Sequence, residues 1–305
     1  ETDAVVASVK ADDEGKVTVN DLAPGKYSFV ETKAPTGYIL NTTPVAFEIK
    51  AEQAGEPKVI ETGAFVNYQG TATLLKTDAD GKPLAGAAFN VIDETDAVVA
   101  SVKADDEGKV TVNDLAPGKY SFVETKAPAG YILNPTAMAF EIKAEQAGEP
   151  KVVDAGKLAN YQSTVALTKV DDKQQPLANA VFEIVNTDLD VPVLENVVSD
   201  ETGTVTVVGL APGHYYLQET QAPIGYELSS EKREFMISDV MTETIMTNLG
   251  DFINKMEVEP TPEITPYPEE PSETPETSET PETSETPETS ETPETSETPE
   301  TSETP

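Results

Sequence analysis

Residues 120–131 read YSFVETKAPAGY, and the same pattern recurs as YSFVETKAPTGY at 27–38 and as YYLQETQAPIGY at 215–226. In each copy apolar and polar residues alternate before an Ala-Pro and a Gly, which predicts a β-strand that ends in a turn. The three copies begin 93 and 95 residues apart. Units of this size are whole small domains rather than solenoid turns, so the chain is a tandem array.

The boundaries of the array follow from where the matching restarts. Residues 94–128 repeat residues 1–35 without a change, and TATLLKT from Thr71 matches TVALTKV from Thr164. The first repeat contains no copy of this opening strand after Glu1. We therefore predict a truncated repeat at 1–69, a full repeat at 70–161, a divergent repeat at 162–256 and a tail at 257–305.

The repeats are predicted to be all-β. Short runs such as KVTVNDL, KYSFVET, MAFEIKA and TATLLKT alternate in polarity and are separated by Asp-Gly, Glu-Gly and Pro-Gly turn signals. About seven such strands in roughly 93 residues favour an antiparallel β-sandwich of immunoglobulin-like architecture for each repeat.

Composition narrows the function classes. The 305 residues carry 56 acidic and 20 basic side chains, a net charge of −36, with no Cys and one His. Such a surface repels phosphates, so no nucleic-acid partner is expected, and no apolar run is long enough for membrane insertion. Without Cys there are no disulfides. No phosphate-binding loop or metal-ligand cluster is recognisable, so no cofactor and no metal are predicted.

The tail differs from the repeats. Residues 257–305 contain Glu but neither Lys nor Arg, and from Glu273 they repeat ETPETS. This composition predicts a disordered, extended Pro/Glu/Thr/Ser spacer. The chain begins inside a repeat and stops inside a hexapeptide, so we expect a longer protein whose signal peptide and wall anchor lie outside this sequence.

Polar residues occur where strand alternation requires apolar ones. In the second repeat each lies two residues after an apolar residue of the inward phase, and side chains two apart on a strand share a face. The residues are Lys76 after Leu74, Glu124 after Phe122 and Asn160 after Leu158; the third repeat has Lys169, Glu219 and Asn254, and the first has Glu31 and Asn67.

Burial prescribes a chemistry for such a set. An unpaired buried charge costs several kcal/mol, so burial favours the neutral amine of Lys and the neutral acid of Glu. A neutral amine is a nucleophile, a carboxamide carbon is an electrophile, and a carboxylic acid can shuttle protons. If the three groups meet, the amine displaces ammonia and leaves a Lys–Asn isopeptide bond. This is a single-turnover reaction within one chain, and no enzyme activity on an external substrate is expected.

The motif at 120–131 and its two sister copies resemble the E-box of Gram-positive pilins and surface adhesins. The surrounding segments, from residue 1 to about 256, resemble collagen-adhesin B-type domains with the SpaA-like prealbumin fold. That resemblance implies isopeptide bonds promoted by the E-box glutamate. Transferred to this sequence, it implies a Lys76–Asn160 bond promoted by Glu124 and a Lys169–Asn254 bond promoted by Glu219. In the incomplete first repeat, the equivalent residues are Glu31 and the acceptor Asn67. In the third repeat Asn248 is an alternative acceptor.

The resemblance further implies the structural stalk of an extracellular adhesin attached to the cell wall. Its expected partners are the cell wall, through an anchor beyond this chain, and a host extracellular-matrix ligand, through a head domain. Two alternatives stay open. A pilus subunit would need a linking Lys, but Tyr267-Pro268 is followed by Glu269. The chain could also support a surface enzyme or adhesin whose active part lies upstream.

Overall fold

The computed structural model describes residues 4–51 and 59–258, and this part of the chain is all-β, as predicted. The first repeat contributes β1 (Gly25–Phe29), β2 (Leu40–Asn41) and β3 (Val45–Ile49). The second repeat contributes β4 (Gly70–Thr77), β5 (Ala88–Asp93), β6 (Val98–Lys103), β7 (Lys109–Leu115), β8 (Gly118–Lys126), β9 (Met138–Ile142), β10 (Glu145–Gln146) and β11 (Val153–Ala159). The third contributes β12 (Thr164–Asp171), β13 (Val181–Asn186), β14 (Val191–Val198), β15 (Thr204–Val208), β16 (Gly213–Gln221), β17 (Lys232–Ile237) and β18 (Met246–Asn254).

The second repeat folds as two facing sheets. One has the strand order β11-β4-β7 and the other β6-β5-β8-β9. Inward side chains of both sheets form one apolar core, which includes Phe89, Val91, Val110 and Phe122. Removal of this surface from water is the main contribution to the stability of so small a domain.

The third repeat has the same plan. Its sheets have the orders β15-β12-β18 and β14-β13-β16-β17, and its core contains Phe182, Ile184, Leu217 and Phe252. The rings of Phe182 and Phe252 meet edge to face with centroids 5.2 Å apart, the arrangement that aromatic quadrupoles favour.

The sandwich is not antiparallel throughout. The first and last strands of each full repeat are neighbours in the same sheet, and both pairs, β4 with β11 and β12 with β18, are parallel. A parallel pair needs a long connection, and here almost the whole repeat provides it. The strand alternation in the sequence carries no information about this pairing.

The first repeat departs from the prediction most clearly. Its β1 and β3 form a two-stranded antiparallel sheet, but KVTVNDL at 16–22 forms no strand, and Val5 and Val6 are 84% and 66% exposed. In the second repeat the identical residues form β6 and β7, which pair with β5 and β4. The first repeat has no residues equivalent to β4 and β5 after Glu1, so its copies of β6 and β7 lack partners.

Two further sequence predictions concern the tail and membrane insertion. The predicted tail, apart from residues 257 and 258, lies outside the described residues. Across the described residues, the structure contains no helix of the length and hydrophobicity needed to cross a bilayer.

Candidate functional site

Lys76 lies on the core face of β4. Exposure is 0% for Ala72, 1% for Leu74 and 0% for Lys76, so the alternation read from the sequence does turn the amine inward. The backbone of Lys76 is held by the turn before β7, because its N–H donates to the Gly108 carbonyl oxygen at 2.7 Å. Gly108 has a φ of +72°, and a Cβ there would lie 2.5 Å from the Lys76 carbonyl oxygen. Only glycine allows the backbone at this position to come so close to the Lys76 carbonyl oxygen.

The amine of Lys76 lies beside the last strand of the repeat. Its Nζ donates to the carbonyl oxygens of Leu158 at 2.8 Å and Thr77 at 3.1 Å. Lys76 is paired with Leu158 in the parallel register of β4 and β11, and the Asn160 N–H donates to the Thr77 carbonyl oxygen at 2.9 Å. The lysine amine and the backbone N–H of Asn160 therefore both donate to the Thr77 carbonyl oxygen.

Glu124 and Asn160 are in direct contact. They are 3% and 0% exposed, and Asn160 Nδ2 donates to Glu124 Oε2 at 2.8 Å and to the Ile132 carbonyl oxygen at 2.6 Å. The Asn134 N–H also donates to Glu124 Oε2, at 2.8 Å. Glu124 reaches this position because β8 alternates inward at Tyr120, Phe122 and Glu124.

Two buried oxygens of this cluster have no hydrogen-bond partner among the described residues, namely Glu124 Oε1 and Asn160 Oδ1. A buried acceptor without a donor costs roughly 1–3 kcal/mol. A proton on the carboxyl group of Glu124 would convert one of these acceptors into a donor. These two oxygens are therefore the acceptors of the cluster that a proton or a further donor could satisfy.

The electrostatics of the cluster favour a reactive amine. Burial lowers the pKa of Lys76 from 10.5 to about 8, while the nearby carboxylates of Glu124 and Asp78 act in the opposite direction. At pH 7 an amine of that pKa is neutral in about a tenth of the molecules, against less than a thousandth for a solvated lysine. Desolvation thus supplies the nucleophilic form.

The third repeat holds the same cluster. Lys169 is fully buried, and its Nζ donates to the carbonyl oxygens of Phe252 at 3.1 Å and Val170 at 3.2 Å. Asn254 Nδ2 donates to both carboxylate oxygens of Glu219, at 2.9 and 2.8 Å. Burial again lowers the pKa of Lys169, against the opposing effect of Glu219.

The alternative acceptor of the third repeat faces solvent. Asn248 is exposed, and its Oδ1 accepts a hydrogen bond at 2.8 Å from the N–H of Gly250, two residues later in the same strand. Asn254 is 1% exposed and contacts Glu219. Of the two, only Asn254 is buried and contacts the glutamate.

In the first repeat the acceptor half of the cluster forms without a lysine. Asn67 Nδ2 donates to Glu31 Oε2 at 2.8 Å and to the Ile39 carbonyl oxygen at 3.1 Å. The Asn41 N–H donates to the same carboxylate oxygen at 2.8 Å. Both Glu31 and Asn67 are partly exposed, because the sheet that would cover them is incomplete.

Sequence reasoning missed the residue that positions the glutamate through its backbone. In each repeat an N–H ten residues after the glutamate donates to it, and these donors are Asn41, Asn134 and Ser229. The constant spacing was a usable signal, but a backbone donor leaves no residue type to recognise. Among the described residues there is no group of side chains that could hold a metal ion.

A comparison with known protein families agrees with this architecture. A family model described as SpaA, prealbumin-like fold domain, matches residues 1–63, 70–156 and 163–249. No curated protein matches the chain.

Among solved structures, the chain is similar to the Bacillus anthracis TIE protein, with 30% identity and a TM-score of 0.40 over 81% of this chain and 45% of that chain. It thus spans less than half the length of that relative. It is also similar to a streptococcal ancillary pilin, with 22% identity and a TM-score of 0.32 over 81% of this chain and 79% of that chain. For the shaft pilin SpaA from Lactobacillus rhamnosus GG the identity is 18% and the TM-score 0.33, over 63% and 99% of the two chains.

Three matches in tandem cover most of the chain, and the two full repeats have the two-sheet fold described above. The chain therefore belongs to the family of SpaA prealbumin-like fold domains.

Proposed function

We propose that this chain is the stalk of a surface protein of a Gram-positive bacterium, stiffened by two isopeptide bonds that form without an enzyme. The bonds join Lys76 to Asn160 and Lys169 to Asn254. The observation that carries the proposal is the burial of a Lys, a Glu and an Asn together at the junction of the first and last strands, in two repeats of divergent sequence.

The reaction balances within the folded domain. The neutral amine of Lys76 attacks the carboxamide carbon of Asn160, and the new C–N bond forms as the bond to Nδ2 breaks. Glu124, hydrogen-bonded to that nitrogen at 2.8 Å, gives a proton to the leaving group and takes one from the attacking amine, so ammonia departs and the acid is regenerated. Fixed positions of the reactants replace a catalyst that turns over.

The position of the bond determines how a pulling force crosses the repeat. Lys76 is near the end of β4 and Asn160 follows β11, so force applied at Gly70 runs along one strand and crosses the bond to the exit of the repeat. The remaining strands lie inside a closed loop of about 85 residues, a constraint worth roughly 4.5 kcal/mol by chain-entropy reasoning. A stalk under tension benefits from such a bridge.

Intact mass tests the proposal directly. The full chain should be lighter than its sequence by two ammonia molecules, and Glu124→Ala should restore one of them. Glu31→Ala is the matched control, since Glu31 has the same local sequence and acceptor contact but no lysine; it should leave the mass loss at two. A wild-type chain of full sequence mass contradicts the proposal.

As a stalk, this chain lies outside the cell. Its partners are the cell wall, reached through an anchor, and a host ligand, bound by a head domain. The anchor and the head domain both lie beyond these residues. A pilus subunit is the second candidate, because the family match is to prealbumin-like domains named for SpaA. Surface extracts distinguish the two. A pilus subunit gives a ladder of covalent multimers, whereas a stalk gives a single species.

A further inference from the structure

The residue after the E-box tyrosine is buried in the neighbouring repeat rather than in its own. Ile39 of the first repeat is 4% exposed and belongs to the core cluster of the second repeat, with Ala72, Leu115 and Ile142. Ile132 of the second repeat is 1% exposed and belongs to the core cluster of the third. Each of these two repeats thus inserts one isoleucine into the core of the next repeat along the chain.

Backbone hydrogen bonds accompany each isoleucine. β2, which contains Leu40, pairs in parallel with β10 of the second repeat, and the Leu40 N–H donates to the Ala144 carbonyl oxygen at 3.0 Å. At the next junction Leu133 forms a parallel bridge with Val240, and the Met241 N–H donates to the Leu133 carbonyl oxygen at 2.9 Å. The two junctions use equivalent segments on both sides.

A backbone hydrogen bond also fixes the connection between consecutive repeats. The Ile132 N–H donates to the Tyr161 carbonyl oxygen at 2.9 Å, and β12 starts three residues later at Thr164. The first junction has the same bond, from Ile39 to Tyr68 at 2.8 Å. So short a connection, fixed at its start, restricts rotation between repeats.

The third repeat lacks the isoleucine. Its sequence is GYELS at 225–229, where the first two repeats have GYILN at 37–41 and 130–134. Glu227 is exposed and Leu228 is 58% exposed. A carboxylate at this position cannot enter an apolar core without a large desolvation cost. The sequence after this repeat leads into the ETPETS segment rather than into another copy of the repeat.

We propose that the Gly-Tyr-Ile-Leu-Asn segment is a docking plug. Its partner is the end of another prealbumin-like repeat at which the first strand of that repeat begins. Consecutive repeats then stack in one fixed orientation, and Glu227 ends the stack. The inference concerns the packing between repeats and does not depend on the isopeptide bonds.

The plug is connected to the candidate reactive cluster. The carbonyl oxygen of Ile132 accepts a hydrogen bond from Asn160 Nδ2 at 2.6 Å, and that of Ile39 accepts one from Asn67 Nδ2 at 3.1 Å. In the third repeat, Asn254 Nδ2 instead donates to both oxygens of Glu219. The same isoleucine therefore docks onto the next repeat and holds the acceptor carboxamide of its own repeat.

Spin labels on the full chain test the stacking, since the protein has no cysteine of its own. Lys103→Cys and Glu195→Cys place labels on exposed strands of the second and third repeats. We expect a single narrow distance peak in this background, and loss of that peak in Ile132→Glu, which copies the third repeat. Ile224→Glu is the matched control, because Ile224 is fully exposed at 101%; it should keep the narrow peak.

Hydrogen exchange in β16 and intact mass separate docking from folding and from bond formation. Peak loss with protected β16 amides supports the plug, whatever number of ammonia molecules is lost. If Ile132→Glu unfolds the third repeat, Ile132→Ala decides, because it removes the apolar side chain without adding charge. A narrow peak in Ile132→Ala, or in a folded Ile132→Glu, overturns the inference.

Discussion

The Nζ atom of Lys76 lies 2.8 Å from the carbonyl oxygen of Leu158, a residue 82 positions later in the chain. This contact exists because β4 and β11 run parallel side by side, with Lys76 and Leu158 as register partners. The contact brings an amine from the first strand of the repeat to its last strand, at a residue two positions before Asn160. Lys169 and Phe252 repeat it at 3.1 Å.

The first prediction concerns pH. In Asn160→Ala no bond can form, so Lys76 stays a titratable amine whose pKa is about 8 in the folded state, against 10.5 for a lysine that is not shifted by burial, as in the unfolded chain. Between these values the unfolded chain holds more protons, so the free energy of unfolding should rise as pH rises from about 8 to about 10.5. Below pH 8 the cost of the buried cation is fully present.

The wild type is the control for this prediction, because an amide nitrogen does not titrate in this range. Burial raises the pKa of Tyr120 and Tyr131, but these groups titrate in both proteins and cancel in the comparison. Calorimetry at pH 7.5 and pH 10 should show a relative gain for Asn160→Ala. Equal pH dependence in the two proteins would contradict a covalently modified Lys76.

The second prediction concerns the turn behind the lysine. Gly108→Ala should lower the free energy of unfolding of the second repeat by more than the ~1–2 kcal/mol that a left-handed backbone costs alone, because the new Cβ meets the Lys76 carbonyl oxygen. Gly15 is the matched control, with the same local sequence and a φ of +76° but open space around it. Denaturant unfolding should leave the second repeat unchanged in Gly15→Ala.

The third prediction identifies the acceptor of the third repeat. Asn254→Ala should reduce the mass loss of the full chain from two ammonia molecules to one, since the carboxamide in contact with Glu219 is gone. Asn248→Ala removes only a solvent-facing amide and should leave the loss at two. The reverse pattern of masses would assign the bond to Asn248.

The fourth prediction tests the division into repeats. Fusing a copy of residues 70–93 ahead of Glu1 supplies the first repeat with counterparts of β4 and β5, including a lysine equivalent to Lys76. Because Glu31 and Asn67 are already hydrogen-bonded, the fusion should lose a third ammonia molecule and resist protease as the second repeat does. Replacing that lysine with Arg in the fusion should keep the mass loss at two. A fusion with neither effect would show that the predicted boundary at residues 69 and 70 is wrong.

Much of the site could be predicted from local sequence. Strand alternation is a property of the backbone, so the period of two in TATLLKT and YSFVET was enough to turn Lys76 and Glu124 toward the core. The choice between Asn254 and Asn248 could not be made in this way, because both lie in one long strand with a register shift between Ala166 and Thr168 of its partner. Which of them enters the core depends on that shift.

Residues 1–35 and 94–128 separate the two contributions most directly, since their sequences are identical. By itself the sequence determined the alternation, the turns and the strand at 25–29, which forms in both copies. Tertiary structure decided the rest. KVTVNDL is a strand at 109–115 and not at 16–22, because a strand is stabilised by hydrogen bonds and apolar contacts from neighbours distant in the chain. The second copy has those neighbours in β4 and β5, and the first does not.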